Sequence, residues 1–223
     1  MNIQKIEDFL IVRFLLKTNM IIVDIETTGL NPEKCGIASI GAVDFKNPEN
    51  QFYVEPWVSR DTLISEEALK INGFTREQLF DLSKYCVCDC LKQFFSWASK
   101  DIEDMTLAGE NVAFDANFLE ANARMSNLPW IFGHRYEDLH TLSRQAHRKI
   151  GVQLPIEYNR SALSLDETLK FVGLPIEPKP HNGLTGAKLE AEAFSRLINK
   201  SVLLPEYASY KIPRYLLNGG ARI

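Results

Sequence analysis

The run Met20–Leu30, MIIVDIETTGL, constrains the fold more than any other stretch of the chain. Ile21, Ile22 and Val23 favour a strand, Thr27, Thr28 and Gly29 end it, and Asp24 and Glu26 stand between. Side chains alternate along a strand, so a two-residue spacing sends both carboxylates to one face. Two acids there repel each other unless one is protonated or a cation lies between them. Oxygen ligands at a strand end suit Mg²⁺ or Mn²⁺, which accept carboxylates, water and phosphate together. Metal-assisted phosphate chemistry is one reading of the pair; a strand-terminal Asp and Glu turned to solvent is the other.

A chain of 223 residues can bury a core of its own without staples. Its formal charge of −4 argues against a protein that coats nucleic acid nonspecifically, although cations in a pocket can supply the positive field a phosphodiester needs. Cys35, Cys86, Cys88 and Cys90 match no common zinc spacing and read as free thiols, which fits a reducing cytoplasm. No stretch approaches the ~18 consecutive apolar residues of a membrane span. Arg13 interrupts the run Phe9–Leu16, which is too short and wrongly flanked for a signal peptide. A soluble, cytoplasmic protein with no membrane partner is expected.

Apolar residues near helical spacing at Ile3, Ile6, Phe9, Leu10 and Phe14 mark an amphipathic helix, so residues 1–19 read as a helical extension. Gly36–Phe45 and Gln51–Val54 are β-rich and, with the opening strand, give a three-stranded antiparallel start. Ser65 begins a short helix that Asn72-Gly73 ends, and Thr75 to Glu77 start the next. Cys88–Ser99 is amphipathic about Leu91, Phe94, Phe95 and Trp97, Met105–Ala108 is a short buried strand, and Phe114–Met125 is a helix with Asp115 in its first turn. Tyr136–Ile150 reads as one helix with Leu139, Leu142 and Ala146 inward and a basic outer face of Arg144, His147, Arg148 and Lys149. Leu163–Val172 and Leu184–Ile198 complete the helices, and residues 201–223 look like a wrapping arm or a frayed tail.

Asp24-Ile25-Glu26-Thr27-Thr28-Gly29, then Asn111-x-x-Phe114-Asp115-x-x-Phe118-Leu119, then His181 with a helix behind it, resemble the DEDD superfamily of 3′-to-5′ exonucleases, DnaQ-like, in the subclass with a histidine in its third motif. Ile64–Leu79 is similar to the family's second-region helix and turn, and the likeness runs from about Met20 to Ile198. The resemblance implies an exonuclease domain over residues 20–200 with an α/β, RNase H-like fold: a mixed central sheet flanked by helices. It implies two divalent ions, Mg²⁺ or Mn²⁺, ~4 Å apart across the scissile phosphate, and release of nucleoside monophosphates from DNA or RNA 3′ ends. On that pattern Asp24 bridges both ions, Glu26 binds the first, Asp115 supports the second through water, and His181 takes the proton of the attacking water. Thr27, Thr28, Gly29, Leu30, Asn111 and Phe114 would hold the 3′-terminal nucleotide of a single strand, its base stacked with little sequence preference. Association with a polymerase-type partner or as a homodimer is left open, as is the choice between DNA and RNA.

The sequence departs from this pattern at one position that matters. The family's third motif places an aspartate five residues after the histidine, where this chain has Gly186, in His181-Asn182-Gly183-Leu184-Thr185-Gly186-Ala187. That aspartate would ligate the water-activating metal, and two glycines also weaken a helix start. Glu110 is a smaller departure, standing where relatives commonly carry histidine. Two readings follow. Either Glu190, four residues on and on the same helix face, reaches back to the vacancy as a metal ligand, or the chain is an impaired exonuclease fold that binds nucleic-acid 3′ ends or a partner.

Overall fold

The computed structural model describes residues 19–100 and 102–217, so the helix expected near the N-terminus lies outside them. Five strands form the sheet: β1 (Ile21–Thr27), β2 (Ile37–Asp44), β3 (Gln51–Val54), β4 (Leu107–Gly109) and β5 (Glu137–Asp138), in the order β3-β2-β1-β4-β5. β1 pairs antiparallel with β2 and parallel with β4; β2–β3 is antiparallel and β4–β5 parallel. This is the mixed sheet expected from the sequence.

β1 is apolar without alternation because both of its faces are covered. Ile21, Val23 and Ile25 pack into one layer with Leu91, Phe94 and Phe118, while Ile22 packs into the other with Leu139, Leu169, Leu189 and Phe194. The first layer is built by α3 (Val87–Ser99) and α4 (Ala113–Met125), the second by α5 (Leu139–Lys149), α6 (Leu165–Phe171) and α7 (Gly183–Ile198). Each fully buried Ile, Leu or Phe contributes roughly 1.5–3 kcal/mol. The same two-residue period that turns Ile22 towards α7 turns Asp24 and Glu26 that way as well.

Between β3 and α3 lie α1 (Glu66–Asn72) and α2 (Arg76–Leu79). Ser65 caps α1 by accepting from the Ala68 N–H, Gly73 ends it at φ 71°, and Thr75 with Gln78 forms a reciprocal cap on α2. These boundaries match the sequence reading. A small hairpin, β6 (Ile156–Glu157) and β7 (Arg160–Ser161), was not foreseen; Tyr158 and Asn159 at its tip both have positive φ.

Two expectations need correction. The segment from Tyr136 is not helical throughout: Glu137 and Asp138 pair with Ala108 and Gly109 as β5, and α5 begins only at Leu139, capped by the Asp138 carboxylate. His147 is not on an outer basic face. It is buried, its ring centroid 3.6 Å from that of Phe171, and Nδ1 lies 2.8 Å from the Ser143 carbonyl. α6 covers what a single amphipathic helix would have left to solvent.

Beyond α7 the chain turns through a 3-10 segment, Pro205–Tyr207, into α8 (Arg214–Leu217). It is tied down at its start by Arg196 and Glu192, both fully buried and 2.7 Å apart. Arg196 also donates to the carbonyls of Val172, Gly173, Tyr207 and Tyr210, and Glu192 accepts from the N–H groups of Leu203 and Leu204. All five guanidinium donors are used, the condition under which a buried pair is tolerated.

Candidate active site

The site lies where β1 outruns β4. Their pairing ends at Ile22–Ala108, so the N–H groups of β1 beyond it on that side have no strand partner. Asp115, in the first turn of α4, fills one such gap: its Oδ1 accepts from the Ile25 N–H at 3.0 Å. A helix start thus delivers the third carboxylate beside Asp24 and Glu26.

From the other side α7 brings in its N-terminus, and here two glycines do the positioning. A Cβ on Gly41 of β2, the register partner of Asp24, would overlap the backbone of Gly183 and Leu184. One on Gly183 would stand 2.7 Å from the Asp24 carbonyl and 3.1 Å from the Gly41 nitrogen. The helix start therefore rests directly on the strands. Gly183 is needed for that approach, and Asn182 secures the first turn by accepting from the Leu184 and Thr185 N–H groups. His181 precedes this turn, its N–H bonded to the Ile71 carbonyl at 3.0 Å, while Pro180 packs against Gly73.

An acid that the sequence reading passed over completes the group. Glu177, four residues before His181, is buried, with Oε2 3.3 Å from His181 Nδ1. Glu26, Glu177 and His181 each offer a ligand atom within 4.8 Å of the others, the one such triple among the described residues. The available signal was local: an acid between Pro175 and Pro178, in a segment whose φ angles are largely fixed, beside the third-motif histidine.

Gly186 proves to be occupied space rather than a void. A side chain there would overlap Asp24 Oδ2, with Glu177 Oε1 3.4 Å from the Cβ position. Glu190 is buried on the same side, its charge acting on Asp24, with Oε2 3.0 Å from the point where Gly109 would carry a Cβ, at the end of β4. Glu190 Oε2, Glu110 Oε2 and Glu177 Oε1 are all buried without a hydrogen-bond partner.

So many acids in so little water hold one another's protons. Burial first, and then Glu190, Asp115, Glu26 and Glu177, push Asp24 well above the carboxylate range. Burial, then Glu177 and Asp115, raise Glu26 to about 8. Burial raises Asp115 to about 7, against the pull of the Ile25 N–H. Burial raises Glu177 to about 7 against the Asn182 N–H, and raises Glu110 to about 8 with help from Asp138. His181 moves the other way, lowered by burial and then by Lys179, with Asp166 opposing.

Beside the acids is a cleft of about 310 Å³, lined in part by Glu26, Thr27, Gly29, Leu30, Ile71 and Phe114. Of the residues expected to hold a terminal nucleotide, two lie outside it. Thr28 is fully buried; its hydroxyl donates to the Leu63 carbonyl and accepts from the Gly36 N–H, which makes it a brace for the turn. Asn111 is exposed at φ 54°, its N–H donating to Asp138. Asn72, read from the sequence only as a helix end, lines the cleft and donates to the Thr27 carbonyl at 3.0 Å.

Comparison with known proteins places this geometry. A family model described as a 3′-5′ exoribonuclease Rv2179c-like domain matches residues 19–197. The 3′-5′ DNA exonuclease Cap18 of Escherichia coli is 27% identical over 183 residues, 80% of this chain and 90% of that protein. The PolC-type DNA polymerase III of Oceanobacillus iheyensis is 30% identical over 107 residues, which are 48% of this chain but 7% of the polymerase. The chain thus spans a small part of that much longer relative. The nuclease domain of 3′hExo, a DEDDh family member solved with rAMP bound, superposes with a TM-score of 0.63 at 18% identity, covering 89% of this chain and 97% of that one.

Proposed function

Because the chain belongs to the Rv2179c-like 3′-5′ exoribonuclease domain family, we propose that it hydrolyses single-stranded nucleic acid stepwise from the 3′ end, releasing nucleoside monophosphates with two divalent cations, Mg²⁺ or Mn²⁺. The observation that carries this reading is that Asp115 of α4 bonds the Ile25 N–H between Asp24 and Glu26 of β1, while His181 and Glu177, on the approach to α7, offer ligand atoms within 4.8 Å of Glu26. The residues fit such ions: the donors are carboxylate oxygens, three of the surrounding buried oxygens lack any partner, and no Lys or Arg is among the groups that shift Asp24 or Glu26. When bound, the cations neutralise the phosphodiester and acidify water.

The protein's own groups do the rest. Asp24, Glu26 and Asp115 would hold the cations, and the Ile25 N–H fixes the Asp115 carboxylate. His181 turns Nδ1 to Glu177 Oε2 at 3.3 Å, which leaves Nε2 to take the proton of the attacking water. Leu30 and Phe114 offer apolar surface to the terminal base, and the Thr27–Gly29 turn borders its sugar and phosphate. The four thiols, all free, agree with a cytoplasmic setting. No helix of the described residues is long and apolar enough to cross a membrane.

A 5′-labelled single strand of RNA or DNA incubated with Mn²⁺ tests the proposal. A ladder shortening from the 3′ end, absent in Asp24→Asn, is the expected result. Gly186 favours a second reading, a module that binds 3′ ends without turnover; tight binding of the labelled strand with no ladder would establish that instead.

A further inference from the structure

We propose that Glu177 supplies the carboxylate that α7 lacks at position 186: with Glu26 it takes a divalent cation beside Asp24, while its Oε2 faces His181 Nδ1. This rests on the divalent-cation reading above and assigns one of its ligands to a residue outside the family's motifs.

Three observations carry it. The first is place. Glu177 Oε1 stands 3.4 Å from the Cβ position of Gly186, so it enters the volume that an aspartate carboxylate there would fill. The second is need. Glu177 is 7% exposed, yet Oε1 has no hydrogen-bond partner, and a buried carboxylate oxygen is left unmatched only at considerable cost. The third is company. Glu26 and His181 present ligand atoms within 4.8 Å, and the segment that carries Glu177 is stiffened by Pro178 and Pro180 before the His181 N–H anchors to α1.

The substitution explains the glycine. An aspartate on α7 and a glutamate from the preceding loop would compete for one volume, and Asp24 Oδ2 occupies the remainder. Glu190, the nearest acid along α7, is buried beside Asp24 with Oε2 3.0 Å from the Gly109 Cβ position, and it stands outside the group formed by Glu26, Glu177 and His181. The ligand has passed from the helix to a loop residue nine positions earlier, and there one carboxylate bridges the cation and the proton acceptor.

Mn²⁺ binding by the full chain, measured by titration calorimetry near neutral pH, tests this without any need for turnover. Glu177→Gln preserves shape and removes the charge; we expect Mn²⁺ affinity to fall at least about tenfold or one bound ion to be lost, while exposed Glu157→Gln binds as wild type does. Wild-type affinity and stoichiometry in Glu177→Gln overturn the assignment of Glu177 alone. If the unaltered chain binds no Mn²⁺, the divalent-cation reading itself fails. Should Glu177→Gln lose its melting transition, Glu177→Asp keeps the charge and withdraws it by one methylene; undiminished affinity there overturns the assignment equally.

Discussion

Gly186 would ordinarily weaken α7, since glycine in a helix interior costs roughly 0.5–1 kcal/mol relative to alanine. Gly186→Ala should nevertheless be harmful to function, because the added methyl falls on Asp24 Oδ2 and must rotate that carboxylate away. We expect this variant to melt no lower than wild type but to bind Mn²⁺ more weakly; equal affinity would show that Asp24 is free to move. Strand alternation puts Asp24 and Glu26 on one face, whereas Asp115 and His181 entered the site only through the motifs of the resemblance, since a helix start alone accounts for a carboxylate such as Asp115. Glu177 was not legible in that way, because its role depends on the path of a proline-rich loop rather than on any period. The inward turn of His147 was equally hidden, since it is decided by Phe171 on a different helix.

Among the elements, helix ends could be read closely because capping is decided within four residues: Ser65, Thr75 and the Asn72-Gly73 stop all behave as their side chains dictate. β5 could not, because Glu137 and Asp138 are a strand only through pairing with Ala108 and Gly109, distant in sequence. The contact between α7 and the sheet was also out of reach, since no pattern shows that Gly41 and Gly183 will meet. Its importance can be tested by Gly41→Ala. The methyl meets backbone rather than a movable side chain, so the helix must lift from β2; overpacking of this kind costs about 1–3 kcal/mol. Urea denaturation should register that loss, together with weaker Mn²⁺ binding. An unperturbed midpoint would mean that the strand yields instead.

For the molecule as a whole, crowded acids link stability to pH. Glu26 at about 8, Asp115 and Glu177 at about 7 and Glu110 at about 8 keep protons in the folded state that they release at lower pH when unfolded. The folded chain then binds more protons than the unfolded one between about pH 4 and pH 8, and stability falls as pH rises through that window. Without divalent cations the melting temperature should decline from pH 5 to pH 8, and Mn²⁺ should raise it more at pH 8, where the folded-state acids give up their protons and can ligate. A melting temperature indifferent to both would show that the acids carry no strain. Arg196→Met should cost about 3–5 kcal/mol in urea denaturation, because it leaves the Glu192 carboxylate buried without its guanidinium; a loss under 1 kcal/mol would mean that the backbone N–H groups of Leu203 and Leu204 suffice for Glu192. The carbonyls of Tyr207 and Tyr210 end on that same guanidinium. Anyone shortening the protein after α7 to obtain a tidier fragment would therefore be opening its interior, and should expect an insoluble product rather than a smaller copy of the same fold.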